Sequence, residues 1–162
     1  MKRIITSALS AAMFLTIGLG EAQADTKTLA GFSCLKARGS GYTGESWGGI
    51  ENLSTSRTVD VACPMVKDAS KIKATTIMVR DGHASQAVRC RVLHVRRSYG
   101  ASSGVSVYQT PYRYSSGWSA GYQNLNFWDD IGSLSGGHYF AYCTLPAAQN
   151  GRSSIESITY FE

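Results

Sequence analysis

After its first two dozen residues the chain has almost no helical periodicity, no CxxC pair, no G-x-S-x-G elbow and no block of five or more basic residues. Each absence closes a class. Apolar residues that fail to recur at three and four leave no basis for a helical bundle. Without paired CxxC spacings the cysteines do not read as a zinc ribbon. Without the elbow there is no signature of a hydrolase-type serine. Without a basic block or a recognisable nucleic-acid module, nucleic acid is not the expected partner. No internal repeat stands out and no linker divides the chain.

What is present begins with a leader. Lys2 and Arg3 form a basic start, Ile4 to Gly18 is mostly apolar and uncharged, and Ala22-Gln23-Ala24 is a small-x-small processing site. The apolar run is too short to span a bilayer, so residues 1–24 read as a cleavable signal peptide with cleavage after Ala24. The expected product is secreted or periplasmic and not membrane-spanning. Leu29-Ala30-Gly31 resembles a lipoprotein box, but Phe32 stands where the lipidated cysteine would be, so lipidation is rejected. Residues 25–162 then form one domain, large enough to bury a core. Removing Lys2, Arg3 and Glu21 leaves 14 basic minus 10 acidic residues, a net charge of +4. That mild excess favours anionic partners through long-range attraction alone.

All four cysteines, Cys34, Cys63, Cys90 and Cys143, lie after the leader. An even count in an exported chain reads as two disulfides, each closing a long loop and stabilising the fold by roughly 3–5 kcal/mol.

The recurring pattern is alternation at period two, interrupted by Gly, Ser, Asn and Pro. Arg57–Cys63 places Val59, Val61 and Cys63 on one face, with Thr58 and Asp60 on the other. Thr75–Val79 reads as a strand. Ala87–Arg97 sets Val88, Cys90 and Val92 against Arg89 and Arg91, and His138–Leu145 sets Tyr139, Ala141, Cys143 and Leu145 on one side. Ser154–Phe161 is a closing strand. Weaker strands are expected near 32–37, 49–53, 104–108 and 122–127, with 98–104 a loop. About nine short strands separated by turn residues specify an antiparallel β-sandwich with Greek-key or jelly-roll connections, a closed barrel being the alternative. Cys90 and Cys143 sit mid-strand on inward faces, which favours Cys90–Cys143 and Cys34–Cys63; the other two connectivities stay open.

Gly48-Gly49-Ile50-Glu51-Asn52, Val59-Asp60-Val61-Ala62-Cys63-Pro64, Val88-Arg89-Cys90-Arg91-Val92, Tyr142-Cys143-Thr144-Leu145-Pro146 and the terminal Ile155 to Glu162 occur in that order. The layout resembles a group of short exported bacterial proteins with G-x-I-x-N, V-x-V-x-C-P, C-x-V and Y-x-C-x-L-P segments. The resemblance implies a disulfide-linked β-sandwich. It brings no catalytic or binding residue, and the dense aromatic stretch of this chain departs from it.

The chemistry-bearing residues are few. Asp81-Gly82-His83 reads as a turn with an exposed histidine. His94 shares parity with Cys90 and reads as a core-edge histidine, while His138 reads as exposed; the two would form a site only if their strands paired. No metal site and no cofactor are expected beyond a candidate structural calcium at Asp129, Asp130 and Glu162, for which no EF-hand-like oxygen array exists. Adjacent Asp129 and Asp130 would point to opposite sides of a strand, against the facing pair a glycosidase needs. Arg89 and Arg91, with Arg80, Arg96, Arg97 and Arg113, form either an anion patch or a solvated outer face, and the latter reading is preferred.

Residues 108–130 pack Tyr108, Tyr112, Tyr114, Trp118, Tyr122, Phe127 and Trp128 into one stretch. Pro111 makes its first part an edge strand or loop, and an extended run would put Tyr108, Tyr112 and Tyr114 on one face. Tyr and Trp suit a half-wet site. In the competing reading Phe127, Trp128 and Trp118 fill the core while the tyrosines cover it. Trp47 is a further surface candidate. The preferred reading is an exported, non-enzymatic binding module for a glycan or cell-envelope polymer, with Tyr112, Tyr114, Trp118 and Tyr122 as ligand-binding residues and no catalytic residue. The alternative is a protein-interaction module, an inhibitor or surface-assembly subunit; a small secreted hydrolase is third.

Overall fold

The computed structural model describes residues 25–41, 43–46, 48–67, 71–98, 104–117, 121–128, 131 and 137–162. The leader, Trp47, Trp118, Asp129, Asp130 and the loop 99–103 lie outside the described residues.

Among the described residues, twelve strands form two antiparallel sheets: β1 (Thr26–Ala30), β2 (Leu35–Arg38), β3 (Thr43–Ser46), β4 (Gly49–Asn52), β5 (Val59–Met65), β6 (Ala74–Arg80), β7 (Arg89–Ser98), β8 (Gly104–Gln109), β9 (Arg113–Tyr114), β10 (Tyr122–Trp128), β11 (His138–Leu145) and β12 (Ser154–Phe161). The first sheet runs β10-β6-β12-β4-β3, with β1 also on β12; the second runs β2-β5-β11-β7-β8, with β9 also on β7. From β4 through β7, and again from β9 through β12, the chain changes sheet at each connection. This is the jelly-roll-like sandwich that the alternation predicts.

The alternation works residue by residue. In β5, Val59, Val61, Cys63 and Met65 are buried between the sheets. Pro64 sits beyond the end of β2, which pairs only as far as Ala62, so its missing N–H costs no ladder bond. In β12 both Ile155 and Ile158 are fully buried although three residues apart, which a regular strand forbids. A bulge between Ile155 and Ser157 inserts Glu156 and restores the inward face. Each such buried aliphatic stabilises the fold by about 1.5–3 kcal/mol.

Both sheets have a broken edge. Along β12, β4 pairs with Ser154 and Ile155, and β1 takes over from Ser157. At the handover the chain makes a 3-10 turn over Gly31–Ser33, where a strand over 32–37 was expected; β2 starts only at Leu35. Gly31 explains the change: a Cβ there would lie 1.9 Å from the Ile155 carbonyl oxygen. Along β7, β8 pairs with Leu93–Ser98 and β9 with Arg89 and Cys90. Thr110 and Ser115 fill the flanks of the break: Thr110 donates its backbone N–H to the Val92 carbonyl of β7 while its hydroxyl oxygen accepts the Val92 N–H, and Ser115 does the same with Val88, the residue before β7.

Cys34 bonds Cys63, and Cys90 bonds Cys143. Cys90 and Cys143 are direct register partners on neighbouring strands. Asn52, fully buried, ties the sheets together: its amide donates to the carbonyls of Arg57, Leu145 and Pro146, and its Oδ1 accepts the Ser54 N–H. No described helix is long and apolar enough to cross a membrane.

His83 corrects the expectation of an exposed turn residue. It is 4 % exposed, and its Nδ1 accepts the N–H groups of Ser85 and Gln86. Asp81 is buried too, accepting the His83 N–H and the Ser115 hydroxyl. The Asp-Gly turn is packed against another loop rather than water, for Gly82 lies so close to Gly151 that a Cβ would reach 2.3 Å from its carbonyl. His94 is buried and stacks on Tyr139 with ring centroids 4.2 Å apart. His138 is exposed and pairs with Val95 one residue along, so the two histidines project from opposite faces of the sheet and form no joint site.

Candidate functional site

The aromatic stretch divides between the two sheets. On β10, Leu125 and Phe127 point into the core, so Tyr122, Asn124, Asn126 and Trp128 point out. This corrects the reading in which Trp128 fills the core: its ring is 58 % exposed, and Phe127 alone of the pair is buried. Tyr122 is 63 % exposed at the other end of the strand. Six residues separate the two rings, about 20 Å at a rise of ~3.4 Å per residue.

Register gives the rest of this outer face. Trp128, Ala74 and Phe161 form a row across β10, β6 and β12, with Ala74 covered between two rings. The next row is Asn126, Thr76, Thr159 and Thr28; the Thr76 hydroxyl donates to Asn126 Oδ1 at 2.9 Å, and Thr28 and Thr159 share a hydrogen bond of 3.0 Å. Asn124, Met78 and Ser157 follow, then Tyr122 beside Arg80. Trp128 and Phe161 thus close one end and Tyr122 with Arg80 the other, with amides, hydroxyls and Met78 between them. The Tyr122–Arg80 row continues through Ser154 to Glu51, whose carboxylate is buried and paired with Arg152. Such a surface can stack on flat apolar faces and exchange hydrogen bonds with hydroxyls.

Tyr112 and Tyr114 lie on the second sheet. Tyr108 does not join them: it pairs with the inward His94, and the chain breaks at Thr110–Pro111 before Tyr112 swings over the outer face. The Tyr112 ring lies 4.7 Å from the Arg91 guanidinium carbon and 5.1 Å from that of Arg89. Arg91 also lies 5.6 Å from the Tyr142 ring, and Tyr112 and Tyr114 are 6.2 Å apart in a tilted pair. These are cation–π distances. The Tyr142 hydroxyl donates to Asp60 Oδ2 at 2.8 Å, and the Thr144 hydroxyl donates to Asp60 Oδ1 at 2.7 Å. Burial pushes the Tyr142 phenol above its ordinary pKa, helped by the hydrogen bond to Asp60 and its charge; the Arg38 charge opposes the rise. Arg89 and Arg91 thus sit on an aromatic-clad outer face.

Of the four expected ligand-binding residues, Tyr112 and Tyr114 stand together, Tyr122 stands on the opposite sheet, and Trp118 is outside the described residues. The structure sets Asn124, Asn126 and Trp128 beside Tyr122 on this face, and of these Trp128 is the one that sequence reasoning missed, although its even spacing from Tyr122 carries the signal. It also missed Tyr142 and Asp60, whose partners come from distant strands. Glu162 is buried and accepts Lys27 Nζ at 3.2 Å. No group of three or more His, Cys, Asp or Glu among the described residues is placed to hold a metal.

No family model and no curated protein matches the chain. Among solved structures it is similar to a low-affinity xylan-binding module, CBM86, from Roseburia intestinalis, at 17 % identity and a TM-score of 0.45, over 85 % of this chain and 96 % of that one. It is also similar to the Podospora anserina GH26-CBM35 β-(1,4)-mannanase, at 15 % identity and a TM-score of 0.38, over 83 % of this chain and 27 % of that one. A third is the family 11 carbohydrate-binding module of Clostridium thermocellum in complex with a β-1,3-1,4-mixed-linked tetrasaccharide, at 11 % identity and a TM-score of 0.37, over 88 % and 91 %.

Proposed function

We propose that this protein is an exported, non-enzymatic module that binds an extracellular glycan on the outer face of its first sheet. One observation carries the reading: β10 presents Tyr122, Asn124, Asn126 and Trp128 to solvent on one side, with rings 63 % and 58 % exposed at the ends and amides between. Sugar rings offer apolar faces bordered by hydroxyls, and this face has ring surfaces bordered by amides and hydroxyls. The spacing suits an extended chain of several sugars better than a single one. Two disulfides fit an oxidising, extracytoplasmic compartment.

The test is titration calorimetry of oxidised protein against a panel of neutral soluble polysaccharides, with Trp128→Ala and Tyr122→Ala beside the parent. Saturable binding to one polymer, weakened by both substitutions, is the expected result. Saturable binding to a polymer that neither substitution alters would refute this face as the site, and no binding across the panel would refute a neutral glycan as its ligand.

A further inference from the structure

The second sheet carries a depression of about 350 Å³ bordered by Arg89, Tyr114, Thr144, Thr58, Gln86 and Pro146. We infer that it takes a carboxylated sugar, a uronic acid unit of an acidic polysaccharide, with the carboxylate on Arg89 and the ring on Tyr114. The inference deepens the glycan reading and rests on it for the choice of a sugar, but it uses a separate surface.

Arg89 is an exposed cation without a carboxylate partner among the described residues. Its Nε donates to Thr144 Oγ1 at 3.4 Å, and the stack on Tyr112 steadies the side chain. The two terminal nitrogens remain, a planar fork that matches a carboxylate. Among the described residues the carboxylate in these rows is that of Asp60, and it is occupied by the hydroxyls of Tyr142 and Thr144. Register places it two strands from Arg89, in the row Arg38, Asp60, Thr144, Arg89, Tyr114. Thr144 Oγ1 bridges the two, 2.7 Å from Asp60 Oδ1 and 3.4 Å from Arg89 Nε, so Asp60 is a near neighbour that offsets part of the arginine charge. Arg38, Arg89 and Arg91 against this one carboxylate still leave the depression net cationic.

The ring requirement comes from Tyr114. It is 59 % exposed, next to Arg89 in register, and tilted against Tyr112, which supports it from behind. An inorganic anion or a peptide carboxylate would use the arginine and leave this face bare. A uronic acid presents a carboxylate fixed to the edge of a flat ring, and it meets both groups at once. Thr58 and Gln86 supply hydroxyl and amide groups at the rim for sugar hydroxyls.

The experiment titrates oxidised full-length protein with polygalacturonate oligomers, their methyl esters and poly-glutamate, using the parent, Arg89→Gln, Arg89→Lys and Tyr114→Ala. Circular dichroism confirms that each exposed-site variant is folded. The free acid is expected to bind about tenfold or more tightly than the ester. Arg89→Gln should lose that margin, Arg89→Lys should keep part of it because charge without the fork remains, and Tyr114→Ala should weaken the acid about tenfold. Equal affinity for acid and ester would overturn the inference. So would poly-glutamate binding as tightly as the oligomer with Tyr114→Ala silent, which would mean carboxylate capture without a sugar. Neutral polysaccharide bound through Trp128 with no acid binding overturns this inference and leaves the first-sheet site standing. The converse result overturns the first-sheet site alone.

Discussion

Phe127 and Trp128 are neighbours with opposite fates, and replacing each by alanine separates fold from function. Phe127 is fully buried, so its loss removes an entire ring from the core and leaves a cavity; the cost is about 3–5 kcal/mol. Trp128 is 58 % exposed and faces the small Ala74 across the strand, so its loss costs about 1 kcal/mol or less. Binding should show the reverse order. If a sugar covers roughly 70 Å² of the indole face at ~25 cal/mol per Å², the loss is about 1.8 kcal/mol, or about 20-fold in Kd. Urea unfolding followed by far-ultraviolet circular dichroism reads the first quantity, and calorimetric titration with the polymer that binds the parent reads the second. A Trp128→Ala variant destabilised by more than about 2 kcal/mol would refute the reasoning, because a ring free in solvent has no such packing to lose. So would unaltered binding.

Asn52→Ala strips four hydrogen bonds from a buried position and leaves three carbonyls and one N–H without their partner, so a loss of about 2–4 kcal/mol is expected in the same unfolding assay. Replacing Cys90 and Cys143 together opens a loop of 53 residues, worth about 4 kcal/mol by chain entropy, and should lower the urea midpoint well below that of the parent. Burial holds the Tyr139 and Tyr142 phenols protonated above their ordinary value of 10.0. The unfolded chain sheds these protons first, so stability should stay level below about pH 10 and fall as pH rises through the folded values; Tyr142→Phe should soften that fall in alkaline denaturation curves.

The fold was legible wherever a strand buried one face. His138–Leu145 and Ser154–Phe161 are found at their expected bounds, because each buries one apolar face and is flanked by turn residues. The missed strands are those that bury little. Thr43–Ser46 has no aliphatic residue, Arg113–Tyr114 is two residues long, and Thr26–Ala30 lies on an edge with its outward threonines in water. Local turn chemistry misled at His83, since its turn packs through Gly82 against Gly151, a residue distant in sequence. The surface was legible only in part. Alternation along β10 carries the signal that puts Trp128 beside Tyr122, but the reading that filled the core with its ring passed over it. The Tyr112–Arg91–Tyr142 stack joins three segments that no spacing relates, and it appears only once β7, β9 and β11 are side by side.

The two outer faces stand back to back across a core about 10 Å thick. A stiff polymer chain lying on one face runs off its end without meeting the other. One molecule occupied on both sides therefore ties two separate chains together with no dimer required. Mixing the protein with a neutral and an acidic polymer makes each molecule a cross-link of fixed orientation, and the mixture should stiffen toward a gel. Either polymer alone, meeting only one face, would remain a fluid solution.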